Sequence, residues 1–120
     1  MVATQLDLKI EQGADFAFTV KYIDDAGAPI NLTDYTAKMK IRPSKDSDLL
    51  LAEYTTTNSK IVITGATGTV AVREIAANTL LYNWVAGVYD LVLIPSALAP
   101  TQLAVRILEG NVVMSREVSL

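Results

Sequence analysis

The chain has no cysteine and no histidine. Without cysteine there is no disulfide framework and no thiolate metal site. Without histidine the usual general base near neutral pH is missing, as is the commonest zinc ligand. Any catalysis would fall to carboxylates, lysine, tyrosine and serine. Basic residues are outnumbered, with ten Lys and Arg against thirteen Asp and Glu and a net charge of −3. The corresponding pI is about 4.8. Nucleic-acid binders usually carry a basic domain, so this balance argues against nucleic acid as a partner. Long apolar runs are missing too. The longest uncharged stretches, Ile75–Tyr89 and Leu91–Val105, span 15 residues each and are broken by Asn or Pro. A membrane-spanning helix needs roughly 20 apolar residues, so no membrane partner is expected. Residues 1–7 have no basic region followed by an apolar run, so no signal peptide is expected and the chain reads as soluble and cytoplasmic.

What remains is apolar and strand-like. The 120 residues suffice for one domain, taken as residues 1–120. A domain of this size buries roughly two-thirds of its unfolded surface and needs no staples. Hydrophobic residues make up 51% of the chain. That is high for a free monomer and hints at surface covered by a partner subunit.

Leu6, Leu8 and Ile10 alternate with Asp7, Lys9 and Glu11, the period of a half-buried strand. Phe16, Phe18, Val20 and Tyr22 continue the pattern after Gly13. Asp24–Pro29 is a turn cluster, with Gly27 suited to positive φ. Ile30–Leu32 re-enters briefly. Ala37, Met39 and Ile41 then alternate with Lys38, Lys40 and Arg42, until Pro43 ends the strand. Leu49–Thr55 reads as a fourth strand. Ile61–Ile63 and Thr69–Val72 read as a hairpin. Ile75–Tyr82 is the one helix candidate, too short to stand alone, and is expected as a crossover between sheets. Ala86–Ile94 reads as the central strand. Pro95–Pro100 turns the chain back, Gln102–Leu108 returns, and Gly110 is expected at a bulge or kink. Asn111–Val118 closes the chain with Val112, Met114 and Val118 inward. Short strands with a turn signal every 8–12 residues predict an all-β, immunoglobulin-like β-sandwich with one short crossover helix.

The central strand carries a finer signal. Ala86-Gly87-Val88-Tyr89-Asp90-Leu91 matches the start of strand F in immunoglobulin-like domains. There a Tyr precedes the core position by two residues, and its hydroxyl bonds upstream backbone. Tyr89 is expected to be that residue. Leu91 is expected where antibody domains place a disulfide cysteine.

Chemistry-bearing groups are few. Asp24, Asp25, Asn31 and Asp34 could gather oxygen ligands for Ca²⁺, but no run has a calcium-loop spacing. Asp and Asn are also favoured in turns for local backbone bonding, which is the preferred reading. Ser44 and Lys45 could form a Ser–Lys dyad, but no oxyanion hole is identifiable and a solvated loop is preferred. Gly65-Ala66-Thr67-Gly68 lacks the Lys and helix of a phosphate loop and reads as a turn. Tyr82 and Trp84 could anchor an interface, though a core role is preferred. No carboxylate pair stands out as a general acid and base, and the chain does not read as an enzyme. No cofactor is expected. Lys38, Lys40 and Arg42 project from one face of one strand and are the candidate partner-contact residues. They could lie on a solvated outer face, meet an acidic partner subunit or meet a nucleic-acid backbone. Three charges neutralise about three phosphates, which is weak binding at physiological salt.

Three segments together resemble a known family. Ile10–Phe16 (IEQGADF) resembles its "EQGATF" stretch. Gly27–Arg42 resembles its "G-x-P-I-D-L-T-G-Y-T-A-x-M-x-I-R" stretch, with Asn31 for the usual Asp and Asp34 for the usual Gly. Gly87–Leu91, Arg106–Val112 and Arg116–Val118 resemble its "YDL … R-L-L-E-G-x-V … E-V-T" ending. The family comprises small β-sandwich proteins of tailed bacteriophages and prophages, linked to tail, baseplate or tail-fibre assembly. The resemblance spans nearly the whole chain, in order. It implies a non-enzymatic virion protein assembled in the host cytoplasm, present in many copies and bound to other virion proteins. It carries no catalytic residues. Two other readings stay open. One is a capsid decoration or head-fibre protein of the same fold. The other is a receptor- or carbohydrate-binding module, which would expose Tyr35, Tyr54, Tyr82 and Trp84 in a groove.

Overall fold

The computed structural model describes residues 4–95 and 104–116. Among them the chain forms β1 (Thr4–Gln5), β2 (Leu8–Glu11), β3 (Phe16–Lys21), β4 (Thr36–Arg42), β5 (Ala52–Thr55), β6 (Ile61–Thr64), β7 (Thr69–Glu74), α1 (Ala76–Thr79), β8 (Ala86–Ile94) and β9 (Val105–Ser115). One sheet runs β1-β9-β8-β4-β5, with β2 also paired to β9. The other runs β3-β7-β6. Lettering β3 to β9 as B, C, C′, D, E, F and G gives the sheets G-F-C-C′ and B-E-D. That is the variable-type immunoglobulin order. The fold is an immunoglobulin-like sandwich, and α1 is the crossover from β7 to β8.

Alternation builds the core. Along β8, Gly87, Tyr89, Leu91 and Leu93 face inward, while Val88, Asp90 and Val92 face out. Along β4, Ala37, Met39 and Ile41 are buried. Met39 lies opposite Leu91, and Ile41 opposite Tyr89. The second sheet contributes Phe16, Ile61, Val70 and Val72. Leu91 and Leu93 are fully buried. Each such side chain favours folding by about 1.5–3 kcal/mol through lost water contact. Leu91 thus fills the expected core position without a cysteine.

Several expectations need correction. Of the Leu6–Glu11 alternation only Leu8–Glu11 is strand; Thr4–Gln5 forms a separate strand before it, and both run parallel to β9. The chain breaks at Leu6 and Asp7, where Leu6 N–H bonds the Glu109 carbonyl and Asp7 Oδ1 accepts from Asn111 N–H. The fourth strand starts at Ala52 and not Leu49. With Pro43 ending β4, the ladder has no partner beyond Arg42, and Leu49 and Leu50 are exposed. Ile30–Leu32 makes no strand, only an isolated Ile23–Pro29 bridge beside it. The helix is four residues long, not eight. The return is one strand, β9, and its irregularity falls between the Leu91–Leu108 and Val92–Arg106 pairs. Ile107 is therefore the extra residue, three positions before Gly110. Gly110 has a different task, since a Cβ there would collide with the Leu6 carbonyl. The expected Pro95–Pro100 turn lies largely, and inward-facing Val118 wholly, outside the described residues.

Asn31 and Asp34 each have a local account. Asn31 Oδ1 accepts from Thr33 N–H at 2.9 Å and Thr33 Oγ1 at 2.6 Å. An Asp carboxylate would accept the same two bonds. Asp34 has φ of 68°, the left-handed region that glycine adopts freely.

Candidate protein-binding face

Lys38, Lys40 and Arg42 project together from β4 onto the outer face of the larger sheet, as their spacing predicts. Register decides what surrounds them. Lys40 lies between Glu53 on β5 and Asp90 on β8. Its Nζ is 3.5 Å from Glu53 Oε2. Asp90 lies directly opposite Glu109 on β9. Two carboxylates in that position repel. Arg106 bridges them, with Nε 3.4 Å from Asp90 Oδ2 and Nη1 3.1 Å from Glu109 Oε2. The centre of the face is therefore a row of alternating charge across four strands.

The flanks are different. Lys38 sits between Thr55 and Val92, with no carboxylate in ion-pair range among the described residues. Lys45 projects from the loop after Pro43, is exposed, and has no ion-pair partner among the described residues. Arg42 Nη1 donates to the Asp48 carbonyl at 3.0 Å and the Ser47 carbonyl at 3.5 Å. Those carbonyls fix the guanidinium but leave its charge uncompensated. Together these side chains wall a cleft of about 460 Å³ whose floor includes Val88 and Val92. Five cations line it against two carboxylates, Asp90 and Glu109, a local balance of +3 on a chain of net −3.

Arg106, Asp90 and Glu109 are not among the partner contacts expected from sequence, and Lys45 enters there only as half of a possible Ser–Lys dyad. Asp90 was legible, because alternation along β8 places it outward. Arg106 and Glu109 were not. Three residues apart, they fall on opposite faces of a regular strand, and only the extra residue Ile107 brings them to one face.

The other candidates resolve into structure. Asp24 Oδ1 accepts from Ala26 N–H and Ala28 N–H, both at 2.9 Å, closing its own turn. No group of three metal-binding side chains occurs among the described residues. Ser44 accepts Ser47 N–H through its carbonyl in a short loop turn. Gly65–Thr67 is a single 3-10 turn capped by left-handed Gly68, and Gly65 accepts Leu32 N–H. A Cβ on Gly65 would meet the Thr33 backbone at 2.7 Å, so close packing explains that glycine.

The aromatic side chains do not form an open groove. Tyr54 and Trp84 are buried, and Tyr35 and Tyr82 are half-buried. Tyr82 and Trp84 pack with ring centres 5.3 Å apart. The Tyr54 and Tyr82 hydroxyls share a 2.6 Å hydrogen bond. Burial and that bond push the Tyr54 hydroxyl well above its usual pKa. Beneath them, Glu74 Oε2 is 2.6 Å from Lys60 Nζ, while Oε1 accepts from Asn78 Nδ2 and Ile75 N–H. Burial pushes the Glu74 carboxyl up, but Lys60, Asn78 and Ile75 together hold it below the usual range. This network braces α1 against β7. No helix among the described residues is long and apolar enough to cross a membrane.

No protein-family model matches the chain, and no curated protein matches it. Solved structures do. The extracellular domain of the voltage-gated sodium channel beta4 subunit, described as a parallel homodimer with a role in cell–cell adhesion, aligns over 98% of this chain and 97% of its own, at 9% identity and TM-score 0.46. Tim-1 aligns over 99% of both chains at 12% identity and TM-score 0.42. A voltage-gated sodium channel beta subunit aligns over 98% and 95%, at 10% identity and TM-score 0.41. At such identities and scores the likeness assigns no function, and the sandwich topology rests on the strand order above.

Proposed function

We propose that this chain is a non-enzymatic structural or assembly protein of a bacteriophage virion. It acts through protein–protein contacts, at the tail, the baseplate or the fibre attachment, and in several copies. The observation that carries the binding half of this reading is the cleft on the outer sheet face. Its cations stand on paired strands and a short loop. The virion half rests on the resemblance of Ile10–Phe16, Gly27–Arg42, Gly87–Leu91 and Arg106–Val112 to the phage family. Open sheet edges at β3, β5 and β6 add further surface for neighbouring chains. Repeated contacts of this kind suit a symmetric assembly.

The test is composition and cross-linking of purified particles. Tails and heads are separated, and the chain is sought in each by mass spectrometry. Lysine-reactive cross-links from Lys38 or Lys45 to a tail protein are the expected result. Absence of the chain from all particle fractions would overturn the virion assignment. Recovery on heads alone would move it to capsid decoration.

A further inference from the structure

We infer that the cleft beside β4 takes an extended, acidic segment of a partner protein, read by Lys38, Arg42 and Lys45. The inference rests on the proposal that this face binds protein, and names the chemistry of the occupant. Charge complementarity carries it. Lys40 is paired with Glu53, and Arg106 with Asp90 and Glu109. Among the described residues Lys38, Arg42 and Lys45 have no carboxylate partner, although all three line one cleft. Their charge is left for an incoming group. The acidic balance of the whole chain makes such a local excess unexpected as plain solvation.

Geometry favours an extended strand. Lys38, Lys40 and Arg42 repeat every second residue, a spacing of about 6.7 Å along the strand. Side chains on one side of an extended peptide repeat at the same interval. Carboxylates four residues apart on one side can therefore meet Lys38 and Arg42, with the same-side residue midway between them over Lys40. Val88 and Val92 give the intervening apolar atoms a floor. The Arg42 guanidinium is already oriented by two loop carbonyls, which lowers the ordering cost of a charge-assisted bond.

A nucleic-acid strand fits less well. Single strands are held by aromatic stacking as well as charge. Tyr89 is the aromatic residue of the cleft lining, and it is buried with its hydroxyl committed to the Leu6 carbonyl. Asp90 and Glu109 in the lining would also face the phosphates. A polypeptide of mixed composition can leave neutral atoms there.

The test uses the full chain and a labelled peptide of about ten residues alternating Glu and Thr, sized to span a strand such as β4. Fluorescence anisotropy should show binding that weakens at least about tenfold when salt rises from about 50 to about 300 mM. The Gln-for-Glu peptide should not bind. The double variant Lys38→Glu, Lys45→Glu should lose binding, whereas Lys21→Glu, exposed on the other sheet, should keep it. Unaltered thermal melts of both variants would show that folding is intact. Equal or tighter binding of a thymidine oligonucleotide of matching charge would overturn the inference, as would equal loss in the Lys21→Glu control. Light scattering of the unmodified chain checks self-association. A concentration-dependent oligomer dissolved by the double variant would assign the cleft to a second copy and overturn the partner segment. Particles that incorporate the double variant normally would sink this inference and leave the virion proposal standing. Peptide binding by a chain absent from particles would do the reverse.

Discussion

The Tyr89 hydroxyl donates to the Leu6 carbonyl at 2.6 Å, tying the central strand β8 to the break between β1 and β2. The two residues are 83 positions apart. The equivalent tyrosine of immunoglobulin domains bonds backbone only a few residues upstream. Here the same side chain closes the sandwich at its other end of sequence. Gly110 makes this possible. It lies opposite Tyr89 in the ladder and leaves room for the Leu6 carbonyl. Burial and the Asp7 charge raise the Tyr89 hydroxyl to about 12, so it stays a donor across the physiological range.

Tyr89→Phe removes that one bond and should cost about 1 kcal/mol. Gly110→Ala forces a side chain onto backbone and should cost more, about 1–3 kcal/mol. Urea melts of both variants check this. A midpoint for Tyr89→Phe equal to the parent would remove the tether from the account of stability. An unaffected Gly110→Ala would show that β1 and β9 can part without loss.

Asp34 sits at φ 68°, in the left-handed region. A Cβ in the left-handed region costs an ordinary residue roughly 1–2 kcal/mol, and Asp or Asn less. Glycine avoids that cost but loses more backbone freedom on folding, by about 0.5–1 kcal/mol. These terms nearly cancel, so Asp34→Gly should be close to neutral. Asp34→Val should destabilise by about 1 kcal/mol or more. Thermal melts would rank the three. A Val variant as stable as the parent would show that the turn relaxes out of the left-handed region.

Glu74 ties Lys60, Asn78 and the start of α1 to β7. Its folded pKa lies below the ordinary 4.5. The sign follows from linkage. Its stabilisation is present above the unfolded pKa and fades as pH falls through the depressed folded value. Glu74→Gln should therefore cost about 1–3 kcal/mol at pH 7 through lost charge-assisted bonds. The gap between variant and parent should close on acidification below the ordinary carboxylate range. Urea midpoints measured from neutral to acid pH decide it. A constant gap would assign the loss to packing instead.

Much of this architecture was legible because alternation carries it. The bounds of β8 followed from its apolar run, and the core placement of Tyr89 and Leu91 from the match to an immunoglobulin strand F. The outward triplet Lys38, Lys40 and Arg42 followed from period two. What stayed hidden depended on partners. Leu49 and Leu50 look like strand residues, but β4 ends at Pro43 and offers them no ladder. Leu6 looks like a core residue, yet its carbonyl is claimed by Tyr89 and its strand shifts onto β9. The Asp90–Arg106–Glu109 cluster needs both the β8–β9 register and the Ile107 bulge, and neither has a local sequence signal.

That cluster is itself open to test. Arg106 neutralises Asp90 and Glu109, which otherwise oppose each other across β8 and β9. The guanidinium is half-exposed, so each pair is worth at most about 1 kcal/mol. Arg106→Gln exchanges two attractions for one unrelieved repulsion. It should destabilise by about 0.5–1 kcal/mol at low salt. Added salt screens exposed like charges, so the loss should shrink as ionic strength rises. The triple variant Arg106→Gln, Asp90→Asn, Glu109→Gln should recover most of it at low salt, because the repelling charges are gone. Chemical melts at two ionic strengths check both statements. A loss insensitive to salt, or a triple variant no more stable than Arg106→Gln, would mean that Arg106 acts through packing across the Ile107 bulge and not through its charge.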